Sequence, residues 1–367
     1  MSRTSIIVVA YNNRQYLGPC FAALDAAGLD PAAVRVILVD NASSDGTADY
    51  VTSELLAADP AGATHTRGGL PVLFLRNDSN RGFAGGNNVA IARALADGDP
   101  FVYLLNPDTE VETGFLAAAL DAARDPAIAF VQSLILRHGP GDLVNTYGNE
   151  LHFLGFGYAA GDGRPLADPA VAQRLTEVSD IGFASGAGML ARAAALRAFG
   201  AFNEELFLYE EDLELSWRAL LAGWRVVIAP ASRIRHKYQF GKSVAKFYFL
   251  ERNRWLVLAW CYRAPTLALL APALVGMEVG LWALALKAGW WKEKGRAAAY
   301  VLTPARWPSF WATRKQVQAL RKRSDREVSQ RFTGEIVFEA MSPWPLTHVA
   351  NPVFNAYWGV VRKLLRW

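Results

Sequence analysis

The 367 residues are 52% hydrophobic and 20% charged, which excludes a disordered chain and leaves room for one large α/β domain and something smaller. The net charge of +4 conceals an asymmetry, because residues 1–245 carry 19 Lys and Arg against 27 Asp and Glu whereas residues 246–367 carry 19 against 7. The acidic part suits a metal-dependent site and the basic, Trp-rich part an anionic surface such as a membrane or nucleic acid, while two cysteines, Cys20 and Cys261, make no disulfide framework.

Thr4 to Ala10 is an unbroken run rich in β-branched residues, closed by Tyr11, Asn12 and Asn13, as expected of a strand buried on both faces. The opening lacks the plan of a signal peptide, so a cytoplasmic location is expected for this part. Gln15 to Ala27 has the helical spacing of Tyr16, Leu17, Cys20, Phe21 and Leu24 and stops at Gly28. A second strand, Val34 to Val39, leads into the polar cluster Asp40 to Thr47 and a helix to about Ala58. A third, Val72 to Leu75, leads into Arg76 to Asn88 and a helix through Leu95, and a fourth spans Phe101 to Leu105. This alternation requires crossover connections and predicts a mainly parallel sheet flanked by helices, with ligands beyond the carboxyl ends of the strands.

Those ends are where Asp40 and Asp108 fall. Asp45 and Gly46 serve equally well as turn formers. The glycine-rich stretch Arg81 to Asn88 has neither dinucleotide nor Walker spacing and is expected to be a loop that approaches a ligand and then caps a helix. Further on, Glu210, Glu211 and Asp212 open an amphipathic helix with Leu213, Leu215 and Trp217 apolar and Glu214 and Arg218 polar. Carboxylates in a first turn also act as ordinary caps, stabilising a helix by about 0.3–1 kcal/mol.

Taken together, Ser5 to Asn13, Val39 to Thr47, Asn80 to Asn88, Asn106-Pro107-Asp108 and Tyr209 to Asp212 with Trp217 and Arg218 resemble the motifs of the inverting family 2 glycosyltransferases of GT-A fold. The likeness is closest to their bacterial rhamnosyltransferase-like branch and covers roughly residues 3–240. It implies a GT-A nucleotide-binding sheet and a donor that is a dTDP- or UDP-linked sugar. Ala10, Tyr11 and Asp40 would contact the nucleotide, with Asp78, Arg81 and Gly82 completing the pocket and Asn106 beside it. Asp108 and His236 would hold Mg²⁺ or Mn²⁺, with Asn106 standing where the family's fuller motif has a first Asp. Asp212 would be the base, Glu211 would orient the acceptor, and Ser185, Gly186 and Trp217 would line the acceptor side, although the small residues Ala184 to Leu190 suit close packing equally well. One base driving one in-line displacement implies inversion at the anomeric carbon.

Past residue 245 the character shifts. Ala264 to Leu286 carries only Glu278 as a charge and is long enough for a bilayer core of about 30 Å. Pro265, Pro272 and Glu278 favour a hairpin or re-entrant pair at the interface, with a single crossing as the alternative. From Lys287 to Arg326 eleven basic residues interleave with Trp290, Trp291, Trp307 and Trp311, and the segment from Pro352 to Trp367 reads as a basic amphipathic helix with Phe354, Tyr357, Trp358, Val361 and Leu365 on one side. The expectation is a catalytic domain over 1–245 and a membrane-associated helical region over 246–367, at the cytoplasmic face of the cell membrane, with a lipid-linked saccharide as acceptor and no nucleic acid as partner. Packing against the catalytic domain or a second copy of the chain is the alternative role for the helices. Two other classes compete. A nucleotidylyltransferase would place a glycine-rich, lysine-bearing loop where Tyr11 to Arg14 stand, and a non-catalytic sugar- or nucleic-acid-binding protein would leave Asp108 and Asp212 without a role.

Overall fold

A computed structural model describes residues 3–59, 62–237, 244–336 and 346–367. Its first half runs β1 (Thr4–Ala10), α1 (Arg14–Ala26), β2 (Val34–Asp40), β3 (Val72–Arg76), α2 (Gly82–Ala96), β4 (Phe101–Leu105), β5 (Thr109–Val111), α3 (Phe115–Ala122) and β6 (Ile128–Arg137). Then follow β7 (Gly188–Arg192), α4 (Ala193–Phe199), α5 (Glu211–Leu221) and β8 (Arg225–His236). In the main sheet the order is β8-β6-β7-β4-β1-β2-β3. All neighbours on this path are parallel except β7, which runs antiparallel between β4 and β6. The strands expected from their β-branched runs are therefore present, and the sheet is mainly parallel as expected.

Alternate side chains of β1 enter different cores. Ile6 and Val8 join Leu17, Phe21 and Leu24 of α1, while Ile7 joins Ala90 and Ile91 of α2 on the other face. The glycine-rich stretch is mostly helix rather than loop, because α2 already begins at Gly82. A Cβ on Gly86 would lie 2.7 Å from Val9 Cγ1, so this glycine lets the helix close onto the sheet. Helix α5 is likewise not amphipathic: Glu214 and Arg218 are buried with their neighbours, joined to each other at 2.6 Å.

The C-terminal part contributes α6 (Ala245–Cys261), α7 (Ala264–Ala288), α8 (Trp291–Leu302), α9 (Trp307–Ala319) and α10 (Asn351–Leu364). Leu256, Val257, Leu258, Trp260 and Cys261 of α6 lie in the same hydrophobic cluster as the sheet. The expected hairpin is absent, since α7 is one continuous helix of 25 residues that passes through Pro272. Glu278 does not break it, because the carboxylate bonds Arg254 of α6 and Lys294 of α8, the latter at 2.9 Å. Both cations are buried and also reach Glu251, Lys294 at 2.6 Å. A pair of carboxylates thus meets a pair of cations, which is how buried charge is tolerated.

Two further expectations change. The apolar stripe of α10 turns inward, with Trp358, Val361 and Leu365 buried and Trp358 stacked on Phe153 at 4.9 Å. Trp290 is buried and stacked on Phe247. Part of the basic excess is also used internally, where Arg314 and Arg321 donate to the last carbonyls of α6, a favourable place for cations. Among the described residues one helix, α7, is long and apolar enough to cross a membrane, and its outer face exposes Val275, Val279, Trp282 and Leu286.

Candidate active site

The carboxyl ends of β1, β2 and β4 and the start of α5 meet at one edge of the sheet. On the β2 side Asp40 is buried, and its Oδ1 accepts the Ser43 N–H at 3.1 Å. Ala10, at the end of β1, is buried beside the exposed Tyr11. Asp78 is exposed on the loop after β3, and the Arg81 guanidinium reaches Glu204 at 2.8 Å. What holds this loop is a residue that the sequence reading passed over as turn chemistry. Asn41 is buried, and its carboxamide uses its full capacity: Oδ1 accepts from Asn77 Nδ2 at 2.9 Å and Arg81 N–H at 3.1 Å, and Nδ2 donates to Asn80 Oδ1 and the Gly82 carbonyl, each at 3.0 Å. The only sequence signal for it was an Asn directly after a buried strand-end Asp.

Beyond the end of β4, Asp108 Oδ1 lies 3.2 Å from His236 Nε2. The two are brought together because β5 pairs with the end of β8, with Thr109 opposite His236. Asn145 Nδ2 donates to Asp162, which turns Asn145 Oδ1 toward His236 Nδ1 at 3.1 Å and places a proton on that nitrogen. The Nε2 side of the ring, facing Asp108, is then the side suited to a cation. Among the described residues no group of three His, Cys, Asp or Glu gathers, so they offer a two-residue donor set here. That fits a hard divalent ion whose remaining ligands are phosphate oxygens and water. The Asn106 N–H donates to the Ala187 carbonyl at 3.1 Å, which ties this segment to the acceptor side.

There, Asp212 Oδ2 accepts the Gly186 N–H at 3.1 Å, and Oδ1 accepts the Leu213 N–H at 2.8 Å. The neighbouring Ala184 N–H donates to Ser216 Oγ one turn along α5, and the Ser185 N–H donates to Gln132. A Cβ on Gly186 would sit 2.8 Å from the Phe83 ring, so the small residue serves packing and also presents its N–H to Asp212. Trp217 does not line an acceptor site. It is fully buried, edge-on to Tyr262 and Phe332, because α5 is enclosed on all sides.

The segment leading into α5 is strained: Phe207, Tyr209 and Glu210 have φ of 63°, 66° and 66°. Non-glycine residues in the left-handed region cost of order 1–3 kcal/mol each and persist only where the surroundings fix them. Gly82 touches this segment. Its φ is +67°, a Cβ there would overlap the Phe207 carbonyl oxygen, and that oxygen accepts the Ala84 N–H at 3.2 Å. The donor-side loop and the acid-bearing segment therefore share a contact.

Glu210 and Glu211 each have a buried Oε2 without a hydrogen-bond partner. Burial, reinforced by the charge of Asp212, pushes both carboxyls well above the usual range. Asp212 is also raised by burial, against the downward pull of the Gly186 and Leu213 N–H groups. A carboxyl whose folded pKa is raised holds its proton more tightly in the folded state, so its contribution is present below the unfolded value of about 4.3 and is lost as pH rises through the folded value. Glu210→Gln should therefore raise the thermal midpoint relative to wild type at about pH 8 and change it little at about pH 4. Melting curves across that range would show it, and a midpoint lowered equally at both ends would contradict a buried, unpaired acid.

The chain matches the family model described as glycosyl transferase family 2 over residues 5–199, more than half its length. It is 29% identical over 245 residues to N-acetylglucosaminyl-diphospho-decaprenol L-rhamnosyltransferase of Mycobacterium tuberculosis, covering 63% of this chain and 75% of that one. With the pre-mycofactocin glycosyltransferase of the same organism it shares 26% identity over 209 residues, 56% of this chain and 38% of the other. Among solved structures it superposes on GalNAc-T7 with UDP, GalNAc and Mn²⁺ at a TM-score of 0.51 and 15% identity, over 70% of this chain and 48% of that one. On S. aureus TarS the TM-score is 0.50 at 16% identity, over 98% of this chain and 55% of that one. The chain thus spans about half the length of each of these structures, and the likeness shows their common fold, GT-A. A family match that begins in β1 and runs through α4 takes in the strand ends bearing Asp40 and Asp108, and the chain belongs to glycosyltransferase family 2.

Proposed function

We propose that the chain is an inverting transferase that moves a rhamnose-like sugar from a dTDP- or UDP-linked donor to a hydroxyl of a lipid-linked saccharide, in the synthesis of a cell-surface polysaccharide. The observation that carries this reading is the place of Asp212. Its carboxylate is fixed on the Gly186 N–H, one residue from the Ala187 carbonyl that anchors Asn106, so a base stands beside the donor-side edge. Burial raises its pKa, which strengthens it as a proton acceptor for an attacking hydroxyl. Asp40, Arg81 and Gly82 stand where a nucleotide would bind, and Glu211 beside Asp212 is the group to orient the acceptor. The choice of sugar and of a lipid-linked acceptor is supported by the printed activity of the mycobacterial rhamnosyltransferase. Asp108 and His236 would hold Mg²⁺ or Mn²⁺, which when bound supplies positive charge for the departing nucleotide diphosphate.

The helical part would bring this site to its acceptor at the cytoplasmic face of a membrane. Support comes from the exposed apolar face of α7, the exposed Trp291, Trp307 and Trp311, and the exposed Lys287, Lys292, Arg306 and Lys315. Aromatic and basic groups of this kind favour an anionic interface, at about 1 kcal/mol per cation.

Three outcomes test the reading. Asp212→Asn should lower kcat by about 100- to 10,000-fold with nucleotide affinity unchanged, and the acid limb of the wild-type rate should lie above about pH 3.9. A variant that keeps most of its activity removes Asp212 from the mechanism. Asp108→Ala should weaken UDP or dTDP binding in Mg²⁺ or Mn²⁺ and have little effect in chelator, and an equal loss in both would show that Asp108 is no ligand. In vesicle sedimentation the protein should bind anionic better than neutral lipid and be released partly by salt and fully by detergent. Equal binding to both, or none, would leave the helices as a packing or oligomerisation element.

A further inference from the structure

The strained segment ahead of α5 is held from outside the sheet by one face of α6. Phe249 stacks on Phe207, with ring centroids 5.4 Å apart and planes 15° from parallel. Arg252 donates to the carbonyls of Glu205 and Leu206, each at 2.8 Å. Asn253, fully buried, directs the two N–H bonds of Nδ2 at three closely spaced carbonyls, those of Leu206 at 2.9 Å, Leu208 at 3.0 Å and Tyr209 at 2.7 Å, so that one N–H is shared. Its orientation is fixed, because Arg252 Nε donates to Asn253 Oδ1 at 2.8 Å and leaves only the amide nitrogen to face the segment.

Left-handed residues at 207, 209 and 210 turn these carbonyls away from any strand or helix partner. The Leu206 carbonyl would keep the Arg252 guanidinium and the Leu208 N–H, but the Leu208 and Tyr209 carbonyls would lose the donor that fixes their direction, so without the carboxamide the segment would relax toward ordinary backbone angles. Glu210 is the residue immediately before α5, and Asp212 lies in its first turn. A relaxation there moves the acids themselves. The donor side keeps its own anchor in Asn41, so the Gly82–Phe207 contact should pass only a small part of the shift to it.

We infer that Asn253 is a positioning residue for the transfer reaction, acting through the backbone of 206–209 to hold Glu211 and Asp212 where the attacking acceptor hydroxyl is deprotonated. This role rests on the assignment of Asp212 as base. It places a determinant of catalysis in the helical part of the chain, outside the residues matched by the family model.

The test uses the full-length protein, with dTDP-rhamnose and a short-prenyl diphosphate-linked N-acetylglucosamine as substrates and calorimetric titration of dTDP and UDP. Asn253→Ala should lower kcat about 10- to 100-fold, as misplacements of about an ångström do, while nucleotide affinity stays within about twofold. Asn253→Ser, which keeps one donor, should fall between the two, and it decides the matter by the same split if the alanine variant fails to fold. Val257→Ala, one turn further along α6 and also buried, matches the lost stability and should leave kcat per folded molecule unchanged. Asn253 variants that lose folded protein but keep kcat, or lose kcat and nucleotide affinity together, would show a packing role and overturn the inference. Asp212→Asn measured alongside separates the failures. Full activity there removes the base assignment itself, whereas an inactive Asp212→Asn beside a fully active Asn253→Ala overturns only the positioning role.

Discussion

Three consecutive carboxylates, Glu210 to Asp212, crowd the start of α5, Glu211 buried and the other two half-buried, and much of the surrounding structure serves to make that tolerable. The amino end of a helix gives them a favourable dipole, and the Gly186 and Leu213 N–H groups compensate Asp212. Glu210 and Glu211 receive no such compensation for one oxygen each. Their placement is a standing cost that the fold carries, and it raises the proton affinity of these acids.

Two asparagines organise the edge around these acids, and both work by the same means. Asn41 ties the donor-side loop to β2, and Asn253 ties the acid-bearing segment to α6. A carboxamide offers donors and an acceptor without charge, so it can satisfy several irregular carbonyls in a dry environment where a Lys or Arg would need a counter-ion. The two loops then meet at the contact between Gly82 and Phe207.

The sequence made the strands and the acids legible, because β-branched runs and strand-end Asp residues follow from local physics: what is buried on both faces, and what sits at a carboxyl edge. Hydrogen-bond hubs are a different matter. Asn41 looks like any turn residue, and Asn253 like one more polar residue among Glu251, Arg252 and Arg254, until the carbonyls they face are known. Glu278 misled for a related reason. Its partners Arg254 and Lys294 lie on two other helices, so a carboxylate that seemed to interrupt α7 is instead what joins α7 to α6 and α8. Trp217 is expected on the acceptor side and Trp358 on a stripe that meets a membrane, yet both are buried, because α5 and the last helix are packed from sides that periodicity cannot reveal. The basic excess was real, but part of it caps α6 from within.

The contact at Gly82 has a consequence for how such an enzyme can be altered. The loop that follows β3 is the natural place to change which nucleotide is accepted, and its glycine leaves no free volume against the Phe207 carbonyl. A transplanted loop with a different backbone path would press on the segment that carries the acids. On the proposed roles, donor recognition and base placement share this one boundary, and a graft meant to alter the first has to stay compatible with residues 205–209 and the helix face that seats them.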